Sequence, residues 1–296
     1  MTAEIVDAAA ELVWDIRCGT GESPVWHAAR GILLFADIPA GRIHGYDPVS
    51  EEKTTWKLPD VVASLGVCAS GRLVVALRDQ VVLYDLDRDA ITPLVPPLGL
   101  PRETRFNDGK VGPDGAFWVG TMDGTKQPTA KLYRVTPDGA ADARSEGYVT
   151  ANGLAWSPDG QIMYHSDSRN ARIDAWDFDA ATGAIANRRV FATPNNDEGR
   201  PDGAATDTDG YYWSSGVSAA CLNRFAPDGT HAQKFPLPVP GPTMPCFTPH
   251  GLFVTTLREG RDEATIASHP AMGGLFRLHV AATGVPVGLF DDRAAR

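Results

Sequence analysis

Four oxygen-bearing side chains recur at similar intervals along this 296-residue chain: Glu22, Asn107, Asn152 and Asp202. Each stands at the start of a run that reads as a strand, and Leu65 and Thr243 fill out the same series. Gathered into a confined mouth, the two carboxylates would repel each other and lose hydration. A bound cation relieves both problems. Carboxylate and amide oxygens without Cys or His suit a hard divalent ion. Ca²⁺ is the first choice, with Mg²⁺, Mn²⁺, Zn²⁺ or Fe²⁺ also compatible. Taken singly these residues have a plainer reading, since Asn152-Gly153 and Asp202-Gly203 are ordinary turn pairs. Their recurrence at equivalent positions is what favours a ring of ligands.

Such a ring needs elements that bring residues roughly 40–50 positions apart to one place. The apolar runs Ile32–Ala36, Leu73–Leu77, Val81–Tyr84, Phe117–Gly120 and Leu252–Thr256 have the length and residue types of strands. Pro-Asp-Gly recurs at 113–115, 137–139, 158–160, 201–203 and 227–229, and Asp-Gly is a favoured hairpin turn. Aromatic-bearing segments repeat as well, among them GRIHGYDP from Gly41, VVLYDLD from Val81, KLYRVTPDG from Lys131 and RIDAWDFD from Arg172. A period near that length with four strands per unit predicts an all-β fold, a six-bladed β-propeller of antiparallel blades. The whole chain, 1–296, is expected to form one such domain. Leu12–Ile16 has no blade of its own and is expected to pair near Leu275–Val280 and close the ring. A β-sandwich would not give so long a period. In a propeller the innermost strands run beside one central channel, so the six positions become neighbours at one mouth.

Composition sets the outer bounds. The formal charge is −10, which disfavours nucleic acid and anionic membranes as partners and leaves a small molecule or a cation. The N-terminal MTAEIVDAAAELVWD lacks the basic start and long apolar run of a secretory signal, and no later stretch reaches transmembrane length. The four cysteines, Cys18, Cys68, Cys221 and Cys246, are dispersed and form no CxxC, so buried free thiols in a cytoplasmic protein are expected.

At these residues the sequence resembles the SMP-30/gluconolactonase/regucalcin family of six-bladed propeller lactonases. The matching stretches are GESPVW (21–26), RFNDGKVGPDGAFWVGTM (105–122), NGLAWSPDGQIMYHSDSRNARIDAWDFD (152–179) and RPDGAATDTDGYYW (200–213). The resemblance implies that Glu22, Asn152 and Asp202 bind one divalent metal and that Arg105 and Asn107 contact a sugar lactone. It implies metal-assisted hydrolysis of an aldonolactone, with Asp202 as general base toward water. Some relatives place a substrate-binding acid shortly after GTM. Here GTMDGTKQ puts Thr125 near that place, with Asp123 two residues earlier, which leaves the sugar preference open. Asp108 reads equally as an orienting residue and as a turn residue.

Other constellations are weaker. No G-x-S-x-G elbow or H-E-x-x-H pair is present. DTDG at 207–210 lacks the downstream Glu of a calcium loop and reads as a hairpin turn. His165 reads as a core residue, and Trp118, Trp156 and Trp213 as packing between blades. A lactonase is therefore the leading reading. An esterase or phosphotriesterase using the same metal site, or a non-catalytic metal-binding propeller, are its alternatives.

Overall fold

The computed structural model describes residues 3–293. Two strands precede the first full blade, β1 (Glu4–Ile5) and β2 (Ala10–Trp14). Blade one is β3 (Gly21–His27), β4 (Ile32–Asp37), β5 (Arg42–Tyr46) and β6 (Lys53–Lys57). Blade two is β7 (Ser64–Val67), β8 (Leu73–Ala76), β9 (Val81–Asp85) and β10 (Ala90–Val95). Blade three is β11 (Thr104–Val111), β12 (Phe117–Asp123), β13 (Ala130–Val135) and β14 (Ala141–Tyr148). Blade four is β15 (Ala151–Trp156), β16 (Ile162–Asp167), β17 (Arg172–Asp179) and β18 (Ala184–Ala192). Blade five is β19 (Pro201–Thr206), β20 (Tyr212–Gly216), β21 (Cys221–Phe225) and β22 (His231–Pro236). Blade six has β23 (Pro242–Thr248), β24 (Gly251–Thr256) and β25 (Leu275–Leu278), with the short helix α1 (Glu263–Ser268) between its last two strands.

The fourth strand of blade six is β2, which pairs antiparallel with β25 through Ala10↔Leu278, Glu11↔Arg277 and Leu12↔Phe276. The predicted six blades and this closure are both present. Neither β1, which adds parallel to the outer edge of blade five, nor α1 was expected from the residue pattern. Six apolar clusters hold the ring, one at each junction between neighbouring blades. Trp118 and Trp156 meet edge-on at 6.4 Å between blades three and four, as their positions predict. His165 of blade four is fully buried against Tyr148 of blade three, and all four cysteines are buried free thiols.

Four of the five Pro-Asp-Gly segments are hairpin turns whose glycines, 115, 139, 160 and 229, have positive φ. The fifth is different. Pro201–Gly203 is extended and opens β19, so its Asp belongs to an inner strand and not to a turn.

The segment 283–292 crosses the opposite end of the channel from the six ring positions. It is clipped to blade five by Thr208 N–H to Thr283 O (2.8 Å) and Val285 N–H to Thr206 O (2.9 Å). It is clipped to blade two by Phe290 N–H to Val67 O (2.9 Å), and the Asp292 carboxylate pairs there with Arg72.

Candidate active site

The six ring positions lie within the inner strands, not just ahead of them as the sequence suggests. Glu22, Leu65, Asn152, Asp202 and Thr243 are each the second residue of their strand, and Asn107 lies midway along β11. What separates them is register. Pairing to the second strand of the blade slips between Glu22 and Val25, Phe106 and Gly109, Asn152 and Ala155, Pro201 and Ala204, and Pro242 and Met244. Only β7 pairs with its neighbour without a slip among the inner strands. A bulge of this kind bends the strand and re-aims the side chain beside it.

The bulges of blades one and four are held by specific contacts. Ser23 adopts φ 50°, costly for a residue with a Cβ, and its N–H donates to Glu22 Oε2 at 2.8 Å. The Ser23 hydroxyl ties the bulge to blade two, where Leu65 N–H donates to it at 2.9 Å. In blade four Gly153 has φ 66°, and a Cβ there would stand 2.4 Å from the Tyr212 hydroxyl. That hydroxyl donates to Gly153 O at 2.8 Å, and Leu154 N–H donates to Asp108 Oδ2 at 3.1 Å. Asp108 is therefore buried and fixes the loop that presents Asn152, so it is an orienting residue and not a surface turn.

The side chains form one network. Arg105 donates to Asn107 Oδ1 at 2.8 Å, Asn107 Nδ2 donates to Asn152 Oδ1 at 2.9 Å, and Asn152 Nδ2 donates to Ser168 Oγ at 2.7 Å. Glu22, Asn107, Asn152 and Asp202 are all buried. Burial, with the charges of Asp202 and Asp108, holds the Glu22 carboxyl well above its usual range. Burial and then Asp108 do the same to Asp202. Arg105 is half-buried, its guanidinium donating to Phe106 O and Asn107 Oδ1 at 2.8 Å each; burial pushes its pKa down and the charges of Glu259, Glu22 and Asp202 push it up. The fold thus brings together Glu22, Arg105, Asn107, Asn152 and Asp202. Leu65 joins the apolar cluster between blades one and two, and the Thr243 hydroxyl is spent on Gly21 O and Thr255.

The donor set fits a divalent cation. Among the described residues the buried carboxylates of Glu22 and Asp202 form no ion pair within 4.0 Å, Asp108 Oδ1 has no hydrogen-bond partner, and Asn152 Oδ1 keeps a second lone pair. Thr125 is exposed and folds back on Asp123, donating to its Oδ1 through both N–H (2.7 Å) and hydroxyl (2.6 Å). It supplies no acid to the mouth. Two residues near the site escaped the sequence reading: Lys110 and Glu259. The signal for Lys110 was the alternation Asn107, Asp108, Gly109, Lys110, which reads as a polar turn until the bulge is known. Glu259 comes from the loop before α1 and is held by the Thr20 hydroxyl at 2.7 Å. A separate buried trio, Cys18, Asp37 and His44, lies between blades one and six with one ligand atom each within 4.8 Å. Its thiol and imidazole suit softer ions than the mouth does.

Comparison with known proteins bears on this geometry. The family described as SMP-30/Gluconolactonase/LRE-like region matches residues 20–258, which includes every ring position. A 6-deoxy-6-sulfogluconolactonase of Pseudomonas putida is 35% identical over 91% of this chain and 94% of its own length. Regucalcin of Oryctolagus cuniculus is 32% identical over 93% and 96%. Among solved structures, a calcium-binding protein, regucalcin, of Agrobacterium tumefaciens superposes with a TM-score of 0.93 at 26% identity, covering 98% of this chain and 99% of that one.

Proposed function

The chain belongs to the SMP-30/gluconolactonase/LRE-like family, and on that premise we propose that it hydrolyses an aldonolactone to the aldonic acid with one divalent ion held by Glu22, Asn152 and Asp202. The observation that carries this reading is the convergence of two buried, charge-deprived carboxylates with an amide oxygen directly beside Arg105 and Asn107. Ca²⁺ is the preferred ion because all the donors are oxygens, and the A. tumefaciens relative is described as calcium-binding. When bound, such an ion supplies a Lewis acid toward the lactone carbonyl.

The chain's own residues do the rest. Arg105 offers a planar fork of donors to ring and hydroxyl oxygens, and Asn107 fixes the direction of that fork. Asp202 accepts a proton from the attacking water as the water oxygen bonds to the carbonyl carbon. The bond from that carbon to the ring oxygen then breaks, and the proton passes to the departing ring oxygen. Asp108 keeps the Asn152 bulge in place through Leu154 N–H.

The test is a panel of pentono- and hexonolactones, with a C6-sulfonated gluconolactone included because of the P. putida relative. Hydrolysis is followed by pH-stat after chelation and after add-back of Ca²⁺, Mg²⁺, Mn²⁺ and Zn²⁺. At least one lactone is expected to be hydrolysed well above its spontaneous rate, with loss on chelation and recovery with Ca²⁺. No acceleration for any lactone with any metal would overturn the reading. Activity on simple esters or phosphotriesters alone would transfer the site to the alternative chemistry.

A further inference from the structure

Lys110 divides the channel. It leaves β11 two residues after Asp108, and its ammonium donates across the channel to Ala204 O on β19, from blade three to blade five. The side chain is buried, and among the described residues it makes no ion pair within 4.0 Å. On its far side, away from the acidic mouth, lies a cavity of about 580 Å³. The cavity is walled by Val25, Trp26, Val67 and Phe247 from the ends of three inner strands, and by Leu289 of the crossing segment. That size falls in the range of small-molecule sites, which are mostly apolar with a few placed polar groups.

The crossing segment adds a second observation. Between its clips at Val285 and Phe290, residues Pro286–Leu289 make no backbone hydrogen bond to the blades among the described residues. Val287 and Leu289 are 37% and 55% exposed, unusual for large apolar side chains placed at the rim of an apolar cavity. The segment is thus an apolar cover hydrogen-bonded at both ends and held between them by packing alone.

We infer that this cavity is a second binding site, for a small carboxylate with an apolar body. The apolar walls take the body, and the Lys110 ammonium, with two donors left after Ala204 O and its nearest counter-charge, Asp108, beyond ion-pair distance, takes the carboxylate. An uncharged ligand would leave that buried cation as it stands, and a cationic one would be repelled by it. The site is distinct from the lactone mouth and does not depend on how the mouth is used.

Isothermal titration of the full chain with octanoate, 1-octanol and octyltrimethylammonium tests the proposal. Octanoate is expected to bind one saturable site per chain, at least tenfold tighter than octanol, with octyltrimethylammonium not binding. Lys110→Gln is expected to erase the preference of octanoate over octanol. Ala205→Phe, which places a ring in the cavity from its wall, is expected to weaken octanoate at least tenfold while circular dichroism and Tm show a folded chain. Should Lys110→Gln fail to fold, the headgroup series and Ala205→Phe decide alone. Equal binding of the octyl anion and cation, absence of saturation, or unchanged affinity in a folded Ala205→Phe protein would each overturn it.

Discussion

At the second residue of β3 the chain carries Glu22, and at the second residue of β7 it carries Leu65. The two strands are neighbours, joined by the Ser23 hydroxyl. In β3 the register slips after Glu22 and the carboxylate turns toward the acidic mouth. In β7 pairing runs unbroken from Ser64 to Val67, and Leu65 stays packed among Val25, Leu34 and Val75. The difference teaches that residue type alone does not bring a side chain into the mouth. A local slip of the backbone is needed to take the side chain out of the pleat and into the channel, and the slip has its own supporting residues.

Breaking the bulged side of the comparison at its chemistry gives the largest effect. Asp202→Asn is expected to lower kcat on the best lactone by about 10³-fold, as loss of a general base does, while Tm does not fall because a buried like-charge repulsion is removed. Turnover within tenfold of wild type, measured by pH-stat, would remove Asp202 from the reaction. The unbulged side comes next. Leu65→Asp is expected to cost about 3–4 kcal/mol of stability, from a lost apolar contact and a carboxyl forced into an apolar cluster. Metal analysis should still find one ion per chain, and a second ion would refute the need for a slip. Third, Gly153→Ala changes no donor atom but crowds Tyr212 and the positive-φ backbone. A loss of about 1–3 kcal/mol is expected, with weaker Ca²⁺ binding by calorimetry. Unchanged affinity would show that the bulge does not place Asn152.

The smallest effect is a slope with pH. Glu22 and Asp202 have folded pKa values raised chiefly by burial, so in chelated protein they keep protons that the unfolded chain releases near pH 4. Their contribution to stability is full below that pH and is lost as pH rises through their folded values. Tm of the chelated protein should therefore decline as pH climbs above about 4, Ca²⁺ should flatten the decline, and Glu22→Gln should reduce it. A chelated Tm that rises over the same window would contradict the assignment of these two groups.

Much of this was legible in the sequence because a propeller writes its period into the chain. Spacing placed Glu22, Asn107, Asn152 and Asp202 in one ring, and the unassigned Leu12–Ile16 foretold the closure now seen at Ala10–Trp14. The slips were not legible. A bulge adds one residue to an alternating pattern, and in blade one it rests on Ser23 at positive φ, where glycine would have been the visible signal. Arg105 entered only through resemblance, because the acidic groups that act on it, Glu259, Glu22 and Asp202, come from other blades and leave no local pattern. The covering segment 283–292 was silent for a similar reason: its partners Thr206 and Val67 lie far away in sequence and leave no local pattern.

The pairing of β2 with β25 also sets an order of assembly. During synthesis β2 leaves the ribosome ahead of every blade, and its partner lies more than two hundred and fifty residues downstream. At ordinary translation speeds of about 5–20 residues per second, that separation is a wait of tens of seconds. Throughout it Glu11 and Leu12 belong to a strand with open edges, and β25, the strand that receives them, has not yet been made. Contacts so distant along the chain are slow to form. Junctions between blades one to five can pack as they emerge, whereas the last blade waits for both ends of the ring. Until that moment β25 presents a bare edge of Leu275–Leu278 to any other extended chain, so the closing strand guards the nascent protein against association as well as completing the circle.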